Sequence, residues 1–366
     1  MALTDILRNH RFVILGGSGG VGKTTLSAAL ALRMAELERR VLVLTIDPAR
    51  RLADALGVSL EGNNEREITA QVLKEEGISL PGSLRAMMLD MKNTFDSMVK
   101  KASPSPEIRD RILSNRYYQH LSTSVSGSQD YMAVEKLYEL EGRKDLDLVV
   151  LDTPPTRSAL EFLSAPNRVV NVLEGGIIKM AVRPYLSLGR KAFRVLGKQG
   201  EILAVAAERL VGAEILREIA ELALDFEGIL EIFKTQAEKV QALLRDPQTI
   251  FFIVTRPRSD ILAEAKTYRD RLREAGIPFG GFLVNRIAYH HSGPDQQFSG
   301  LEANLPGGIR EKLLQNASEF QARRRTEEET VARLLKKGED PIFLIPELEE
   351  PVHSLKGLVQ LARALS

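Results

Sequence analysis

The sequence predicts an α/β fold: a doubly wound, mostly parallel β-sheet with an inserted helical subdomain. Short, continuous apolar runs recur along the chain, which is typical of parallel strands that are buried on both faces. Longer helical patterns separate these runs and imply right-handed β-α-β crossovers. The six runs are Phe12–Leu15, Val41–Ile46, Leu148–Leu151, Ile250–Thr255, Gly281–Val284 and Ile342–Ile345.

Two intervals of the chain are too long to be simple crossovers. Residues 57–146 and 167–248 are mostly helical in pattern, and we predict that together they form the inserted helical subdomain. The other segments are predicted to form the domain that contains the sheet: residues 1–56, 147–166 and 249–366.

The clearest single helix is predicted near the end of the second interval. Over residues 215–244, apolar side chains recur at spacings of three and four, which places them on one helix face. A proline after Asp246 is expected to end this helix. Farther along, Gly, Pro and Ser indicate a loop over residues 288–308, and a charged helix is predicted to follow it as far as Lys337, with Gly338 as its cap.

Composition excludes several classes of function. Of 366 residues, 50 are Lys or Arg and 49 are Asp or Glu, for a formal charge of +1. A nucleic-acid-binding protein would need a clear basic excess, so we expect no nucleic-acid partner. The sequence contains no cysteine, which excludes disulfides, thiolate zinc sites, iron–sulfur clusters and cysteine nucleophiles.

The sequence also lacks the patterns that direct a protein to or across a membrane. No apolar run approaches the roughly 18 residues needed to cross a bilayer, so no transmembrane segment is expected. The first residues lack the basic start, apolar stretch and small-residue cleavage site of a signal peptide. We therefore expect a cytoplasmic protein.

A glycine-rich loop directly follows the first predicted strand. Residues 17–24 (GSGGVGKT) satisfy the phosphate-loop (P-loop) spacing G-x-x-x-x-G-K-[ST]. Glycines let backbone N–H groups turn inward around phosphate oxygens. Lys23 would supply charge to the β- and γ-phosphates, which makes it a predicted catalytic residue, and Thr24 would offer a hydroxyl to Mg²⁺. The predicted nucleotide-binding residues here are Gly17, Ser18, Gly19, Gly20, Val21, Gly22, Lys23, Thr24 and Thr25.

The loop resembles the deviant P-loop of dimeric ATPases, and further segments narrow the resemblance. Leu44–Leu56 (LTIDPARRLADAL) and Val150–Leu163 (VLDTPPTRSALEFL) resemble the two switches of the arsenite-pump (ArsA) and tail-anchored-protein-targeting ATPase family. Phe282–Arg286 (FLVNR) is similar to the strand whose asparagine contacts adenine in that family. Phe343–Pro346, with Leu355–Gly357, is similar to its base-flanking loop. The resemblance covers nearly the whole chain in the same order.

This resemblance implies an ATPase with ATP as its substrate and Mg²⁺ as its cofactor. Asp47 would position or deprotonate the water that attacks the γ-phosphate, and Asp152 would hold Mg²⁺ through water, together with Thr24. Asn285 would contact the adenine edge, and Pro346 would flank the base. The switch residues, which would rearrange with the γ-phosphate, are Asp47, Pro48, Asp152, Thr153, Pro154, Pro155 and Thr156.

One position departs from the family pattern. The family loop normally reads G-K-G-G-V-G-K-T, and its first lysine reaches the phosphates of the partner chain across a dimer, whereas this chain has Ser18 there. Such a charge can be worth orders of magnitude in rate. Three explanations stay open. A related partner subunit supplies the cation, another cation such as Arg50 or Arg51 substitutes for it, or hydrolysis is slow and nucleotide occupancy is itself the signal.

The resemblance also bears on partners. With a single P-loop, two nucleotide sites require two chains, which would form a homodimer or a heterodimer with a related ATPase chain. The lack of cysteine excludes a thiol-dependent arsenite response and a zinc-clamped dimer. Residues 175–200 combine six Lys/Arg with apolar side chains and no acid. They would cover a groove for a hydrophobic client helix or contact anionic lipid, or they would form an internal helical hairpin. For the chain as a whole, the expected partner is a hydrophobic client helix or a membrane protein.

These observations favour an ATP-hydrolysing molecular switch. Mg-ATP would draw two chains together and hydrolysis would release them, with the output carried by the helical subdomain. The alternative is a poorly hydrolysing, nucleotide-binding subunit that acts through a related ATPase partner. A positioning ATPase of the partitioning or division-site type is disfavoured by the long helical insert and the near-neutral charge.

Overall fold

The computed structural model describes most of the chain: residues 2–47, 51–68, 79–124, 128–153, 213–288, 307–335, 340–348, 352 and 354–365. The chain divides into two compact units, each assembled from segments that are not continuous in sequence. The sheet unit comprises Met1–Met88, Arg143–Ala159 and Leu244–Ser366, and the helical unit comprises Leu89–Gly142 and Leu160–Leu243.

Strands and helices alternate along the sheet unit, and helices make up the described part of the helical unit. The strands are β1 (Phe12–Gly16), β2 (Arg40–Thr45), β3 (Arg66–Glu67), β4 (Ser83–Met88), β5 (Leu148–Asp152), β6 (Thr249–Thr255), β7 (Phe279–Ile287) and β8 (Ile342–Pro346). The helices are α1 (Leu3–Arg8), α2 (Lys23–Glu36), α3 (Arg51–Leu56), α4 (Met91–Ala102), α5 (Pro106–Ser114), α6 (Arg116–Ser124), α7 (Ser128–Glu141), α8 (Ala213–Arg245), α9 (Ser259–Glu274), α10 (Gly307–Leu335) and α11 (Leu355–Ala364).

The strands form one eight-stranded sheet in the order β3-β4-β2-β5-β1-β6-β7-β8. Neighbouring strands are parallel, except for the antiparallel β3–β4 pair. The carboxyl ends of β1, β2 and β5 therefore lie side by side, and this edge is where open α/β sheets bind their ligands. The predicted doubly wound, mostly parallel α/β fold is confirmed.

The central strands form the core of the sheet unit because both of their faces are covered. Every residue of β1, β5 and β6 is buried, as is all of β2 after Arg40. Helix α2 contacts four of the strands and packs against α11. The buried residues of α11 lie on one face: Leu355, Leu358, Val359, Leu361 and Ala362.

Two strands come from an interval that the sequence pattern predicts to be mostly helical. Strand β3 has only two residues, and the apolar character of β4 is interrupted by Arg85. The Nη1 group of Arg85 donates to Asp145 at 2.7 Å and lies 3.4 Å from Glu65. These partners are distant in sequence, so no local pattern indicates that a sheet position can accept this arginine.

The helical unit has its own aromatic core. Ring centroids of Phe95, Tyr118, Phe226 and Phe233 lie 5.8 to 6.3 Å from their neighbours in this cluster. The hydroxyl of Tyr118 donates to Asp96 at 2.6 Å, which satisfies the polar end of a buried ring.

The long helix α8 has the predicted apolar face. It ends at Arg245, directly before Asp246, as the sequence predicts. Its buried side chains recur at spacings of three and four: Leu222, Phe226, Ile229, Phe233, Ala237, Val240 and Leu244. The charged helix α10 is present, whereas its predicted end at Lys337 and cap at Gly338, like nearly all of the predicted loop over residues 288–308, lie outside the described residues. Within the described ranges, no helix is long and apolar enough to cross a membrane.

Candidate active site

A glycine-rich turn joins β1 to α2 at the carboxyl edge of the sheet. Gly17 has φ 143°, and a Cβ there would lie 2.2 Å from the carbonyl oxygen of Val254 on β6. Gly22 has φ 99°, and a Cβ there would lie 2.3 Å from Nδ2 of Asn285 on β7. Both positions therefore require glycine. Because α2 begins at Lys23, the positive end of its helix dipole points at this loop.

Lys23 lies buried inside the loop. Its Nζ donates to the carbonyl oxygens of Gly17 at 2.7 Å and of Ser18 at 3.0 Å. Burial lowers the pKa of Lys23 to about 8, against the opposing attraction of Asp152 and Asp47. A phosphate group in the loop would favour the charged form again, so the structure holds a cation where an anion is expected to bind.

A cluster of hydroxyl and carboxyl groups lies beside the loop, at the ends of β2 and β5. Thr24 Oγ1 donates to Asp152 Oδ2 at 2.6 Å, and Thr45 Oγ1 donates to the same oxygen at 2.9 Å. Asp152 is 1% exposed, and its other oxygen, Oδ1, is buried without a hydrogen-bond partner among the described residues. Burial raises the pKa of Asp152 to about 6, although the two threonines and Lys23 lower it.

This set of oxygen atoms fits Mg²⁺. The ion prefers oxygen ligands and is usually bound by one or two carboxylates, waters and substrate phosphates. The unpartnered Oδ1 of Asp152 and the hydroxyl of Thr24 are such ligands, and a cation beside them would offset the cost of burying a carboxylate. In the part of the chain that the structure describes, no group of three or more His, Asp or Glu could hold a metal ion by itself.

The buried carboxylate is expected to make the stability of the ligand-free protein depend on pH. The pKa of Asp152 rises from 3.8 to about 6 on folding, so the folded state binds more protons than the unfolded state between these values. Its contribution to the free energy of unfolding therefore falls as the pH rises from about 4 to about 6. Asp152→Asn removes this contribution. As the pH rises from about 4 to about 6, we expect the free energy of unfolding of the variant to increase relative to that of the wild type by up to about 3 kcal/mol.

Urea unfolding without Mg²⁺ or nucleotide, at a series of pH values, measures this difference. The exposed Asp246 provides the control variant, Asp246→Asn, which makes the same exchange of carboxylate for amide away from the buried cluster and should change the free energy of unfolding by about 0.5 kcal/mol or less. A difference between wild type and Asp152→Asn that does not change with pH would show that the carboxylate is not held at a raised pKa.

Asp47 follows β2 and lies close to the same cluster, because its backbone N–H donates to Thr45 Oγ1 at 3.2 Å. Its carboxylate is paired with Arg51 at the start of α3, with Oδ2 and Nη1 3.4 Å apart. The Arg51 side chain is 66% exposed, and that of Asp47 is 17% exposed. Asp47, the predicted catalytic carboxylate, thus forms an ion pair with Arg51, one of the two arginines that are candidates to replace the lysine missing at position 18. The other, Arg50, lies outside the described residues, as does Pro48.

Thr153 follows Asp152 in the second predicted switch and forms a hydrogen bond with β1, the strand that leads into the P-loop. It is buried, and its Oγ1 donates to the carbonyl oxygen of Leu15 at 2.8 Å. The following switch residues Pro154, Pro155 and Thr156 lie outside the described residues, and so does the basic segment of residues 175–200.

Ser18, at the position of the family's signature lysine, is held by a contact within the chain. Its Oγ donates to Glu264 Oε2 at 2.6 Å. Glu264 is an exposed residue of α9 that lies 246 positions away in sequence, and no spacing rule in the sequence links the two residues. A lysine at position 18 would meet this carboxylate of its own chain.

One of the two residues predicted to contact adenine forms a hydrogen bond with the P-loop. Asn285 is buried on β7, and its Nδ2 donates to the carbonyl oxygen of Val21 at 2.8 Å, beside Gly22. Pro346 is the last residue of β8 and pairs in register with Ile287 on β7. Both residues therefore belong to neighbouring strands at the carboxyl edge, and their contact with adenine stays a prediction.

The fold and the loop together define the class of protein. The central strand of the mostly parallel sheet leads through a glycine-rich loop into a helix that starts with lysine and threonine. This arrangement defines a P-loop nucleotide-binding protein. A model of the anion-transporting ATPase family matches residues 10–299. The chain therefore belongs to that family, and the resemblance inferred from its loop and switch segments is confirmed.

Named relatives are similar to this chain over different shares of their length. The chain is 31% identical to ATPase GET3 of Malassezia globosa over 174 residues, which cover 48% of this chain and 46% of the relative. It is 28% identical to ATPase ARSA1 of Chlamydomonas reinhardtii over 76% of this chain and 35% of the relative. It is 25% identical to ATPase ASNA1 homolog 1 of Paramecium tetraurelia over 81% of this chain and 80% of the relative. The chain thus spans less than half the length of the first two.

Proposed function

We propose that this chain is an ATP-hydrolysing molecular switch that acts as a dimer. The observation that carries the proposal is the joint placement of Lys23, Thr24 and Asp152: a buried cation inside a glycine-rich loop, a hydroxyl next to it, and a buried carboxylate with one unpartnered oxygen. These are the groups that bind a nucleoside triphosphate together with Mg²⁺. The family and the names of the three relatives, which are all ATPases, support ATP as the substrate.

The chain's own residues would act on the phosphates by position and charge. The N–H groups of the loop and Lys23 would bind the β- and γ-phosphates and stabilise the charge that develops as the γ-phosphoryl group is transferred. Thr24 and Asp152 would hold Mg²⁺, which supplies neutralising charge to the phosphate oxygens when it is bound. Asp47 would orient the attacking water and accept its proton, and its backbone contact with Thr45 keeps it close to the Asp152 cluster.

Arg51 supplies, within the chain, the charge that Ser18 cannot provide. Its guanidinium forms an ion pair with Asp47. Its positive charge also contributes to lowering the pKa of Lys23, so it lies within electrostatic range of the loop. The side chain is two-thirds exposed, which leaves it free to turn toward a bound phosphate. An arginine contributed by the same chain serves this purpose in other P-loop enzymes.

The substitution Arg51→Ala is expected to lower kcat about a hundredfold and to change ATP affinity by less than about threefold, because the charge acts on the transition state. Arg51→Lys should recover part of the rate, since it keeps the charge but loses the planar fork. Single-turnover phosphate release and nucleotide binding at equilibrium measure the two quantities separately.

Arg66→Ala is the matched control, because Arg66 is an exposed arginine of β3 and its loss changes the net charge by the same amount. It should leave kcat within about twofold of the wild type. If Arg51→Ala behaves like this control while the wild type hydrolyses ATP, the substitute cation is a different group.

The dimer and its client rest on the family resemblance. A chain with one P-loop needs a second chain for a second nucleotide site, and the helical unit would carry the response to a hydrophobic client helix or a membrane-protein partner. The hydrogen bond between Ser18 and Glu264 favours one further candidate function. A chain that cannot extend a cation to its partner is suited to be the poorly hydrolysing, regulatory half of a heterodimer.

ATP turnover per chain, measured against protein concentration with Lys23→Ala as the blank, tests the proposal. We expect turnover that rises with concentration and then levels off, because the active form is a dimer of this chain. Turnover at the level of the blank throughout, with ATP bound, would refute a self-sufficient enzyme and favour the regulatory subunit. Failure of the wild type to bind ATP at all would refute both.

A further inference from the structure

A cleft of about 400 Å³ opens at the amino ends of the parallel strands, the opposite edge of the sheet from the P-loop. It is formed where the chain enters β1, β2 and β5. Six of its ten lining residues carry charge: Arg8, Arg11, Arg39, Arg40, Lys144 and Asp147. Five are cations and one is an acid, in a chain whose total charges nearly cancel. This is a concentrated basic surface, which we name the amino-edge cleft.

The single acid of the amino-edge cleft is already neutralised by a neighbour. Arg40 binds the Asp147 carboxylate through Nε at 3.0 Å and Nη2 at 2.6 Å, and its backbone N–H donates to the same group at 2.9 Å. These bonds lower the pKa of Asp147 to about 2, so it stays charged and paired with Arg40. Five cations less one acid leave the lining with four positive charges in excess.

Arg39 places one of these charges in the wall of the cleft. Its guanidinium donates to the carbonyl oxygens of Leu7 at 2.7 Å and His10 at 3.1 Å, at the end of α1, and to that of Asp147. Carbonyl oxygens satisfy the N–H groups but do not cancel the charge. Burial lowers the pKa of Arg39, against the attraction of Asp147, and the neighbouring Arg11 lowers it further. A bound anion would offset this cost.

Two further cations stand at the mouth of the cleft. Arg8 is the last residue of α1, and Lys144 precedes β5; both are exposed, and neither has an acidic partner among the residues that the structure describes. Long cationic side chains without a partner can close around a ligand at little structural cost. The rim is therefore exposed to solvent, whereas Arg39 in the wall is held by hydrogen bonds, and both carry positive charge.

We propose that the amino-edge cleft binds a compact anion that carries two or more phosphate groups. A guanidinium group can donate two parallel hydrogen bonds to the oxygens of one phosphate. The four excess positive charges of the lining favour a ligand with more than one anionic group. The imidazole of His10 also lines the cleft, but its Nδ1 lies 2.7 Å from the carbonyl oxygen of Ile6, and the Phe12 ring beneath Arg11 is buried in the sheet. Cations thus dominate the lining, and a polyphosphate fits it better than a nucleoside does.

The amino-edge cleft and the P-loop are separate sites on shared elements. Strand β1 leads from the cleft to the loop over the five residues Phe12–Gly16, a distance of roughly 16 Å. Helix α2 starts in the loop at Lys23 and ends at Glu36, three residues before Arg39 of the cleft wall. One ligand cannot occupy both sites, so each can be disabled without removing the other.

The experiment is a calorimetric titration of the full chain with sodium tripolyphosphate in EDTA, on a Lys23→Ala background that weakens binding at the P-loop. We expect one binding event, which Arg8→Ala/Lys144→Ala weakens about tenfold or more because two of the four excess charges are lost. Lys312→Ala/Arg333→Ala removes two exposed cations of α10 and is the matched control, expected to change affinity less than twofold. The exposed positions of all four residues keep the fold intact in both variants.

A second arm distinguishes a free polyphosphate from a lipid headgroup. Flotation with phosphatidylcholine vesicles, with and without phosphatidylinositol bisphosphate, is measured for the same variants. Binding to tripolyphosphate that depends on Arg8 and Lys144 supports a soluble ligand, and binding to the phosphorylated vesicles alone, with the same dependence, supports a membrane-bound one. Binding to neither probe, or equal weakening by the control variant, would overturn the proposal. None of these outcomes depends on ATP hydrolysis.

Discussion

The substitution Lys23→Ala is expected to lower ATP turnover about a thousandfold or more. Lys23 is the cation that the loop holds ready, with its Nζ bonded to two loop carbonyl oxygens and its charge partly suppressed by burial. Phosphate would replace the carbonyl oxygens as its partner, and the interaction strengthens as charge develops on the γ-phosphoryl group. Phosphate release from saturating Mg-ATP measures the effect.

Folding must be shown to survive this change. Because burial already opposes the charge of Lys23 in the free protein, its removal is expected to leave the melting temperature unchanged or slightly raised. The exposed lysine Lys312 provides the control variant, Lys312→Ala, whose turnover should match the wild type. A Lys23→Ala protein that is folded and hydrolyses ATP within tenfold of the wild type would contradict the assignment of this loop as the catalytic centre.

The substitution Asp152→Asn is expected to abolish the dependence of ATP binding on Mg²⁺ and to lower turnover about a hundredfold. The unpartnered Oδ1 is buried beside the Thr24 hydroxyl, and replacing the carboxylate by an amide removes the negative charge that a cation would need there. ATP affinity measured with Mg²⁺ and with EDTA should therefore differ strongly in the wild type and little in the variant.

This second prediction separates a metal site from a purely structural aspartate. Asp152→Asn should raise the stability of the free protein above pH 6 while it lowers turnover, so the two effects have opposite signs. Asp246→Asn should alter neither the Mg²⁺ dependence nor the turnover. A variant that keeps a strong Mg²⁺ dependence would assign the ion to another group.

The sheet and the loop could be predicted from the sequence because each depends on neighbours along the chain. Burial on both faces gives the central strands continuous apolar runs, and six such runs became β1, β2, β5, β6, β7 and β8. The loop needs glycine where φ is positive, at Gly17 and Gly22, and a lysine at the start of the next helix. These requirements act within eight consecutive residues, so a spacing rule finds them.

The contacts that complete the site could not be predicted because they join residues far apart in sequence. Thr45 meets Asp152 only because β2 and β5 pair in register, and Ser18 meets Glu264 only because α9 packs near the loop. Strand β4 was missed for the same reason, since its arginine is accepted by distant acids. Sequence patterns named the reacting groups, and the tertiary structure added the groups that hold them.

The pairing register of the three strands at this edge makes their lengths part of the catalytic machinery. Leu15 of β1 and Thr45 of β2 both lie opposite Asp152 of β5. Because side chains alternate between the faces of a sheet, losing one residue from β5 would turn the carboxylate to the far side, away from Thr24 and Thr45. Strand β5 can therefore exchange one apolar side chain for another of similar volume far more readily than it can gain or lose a residue.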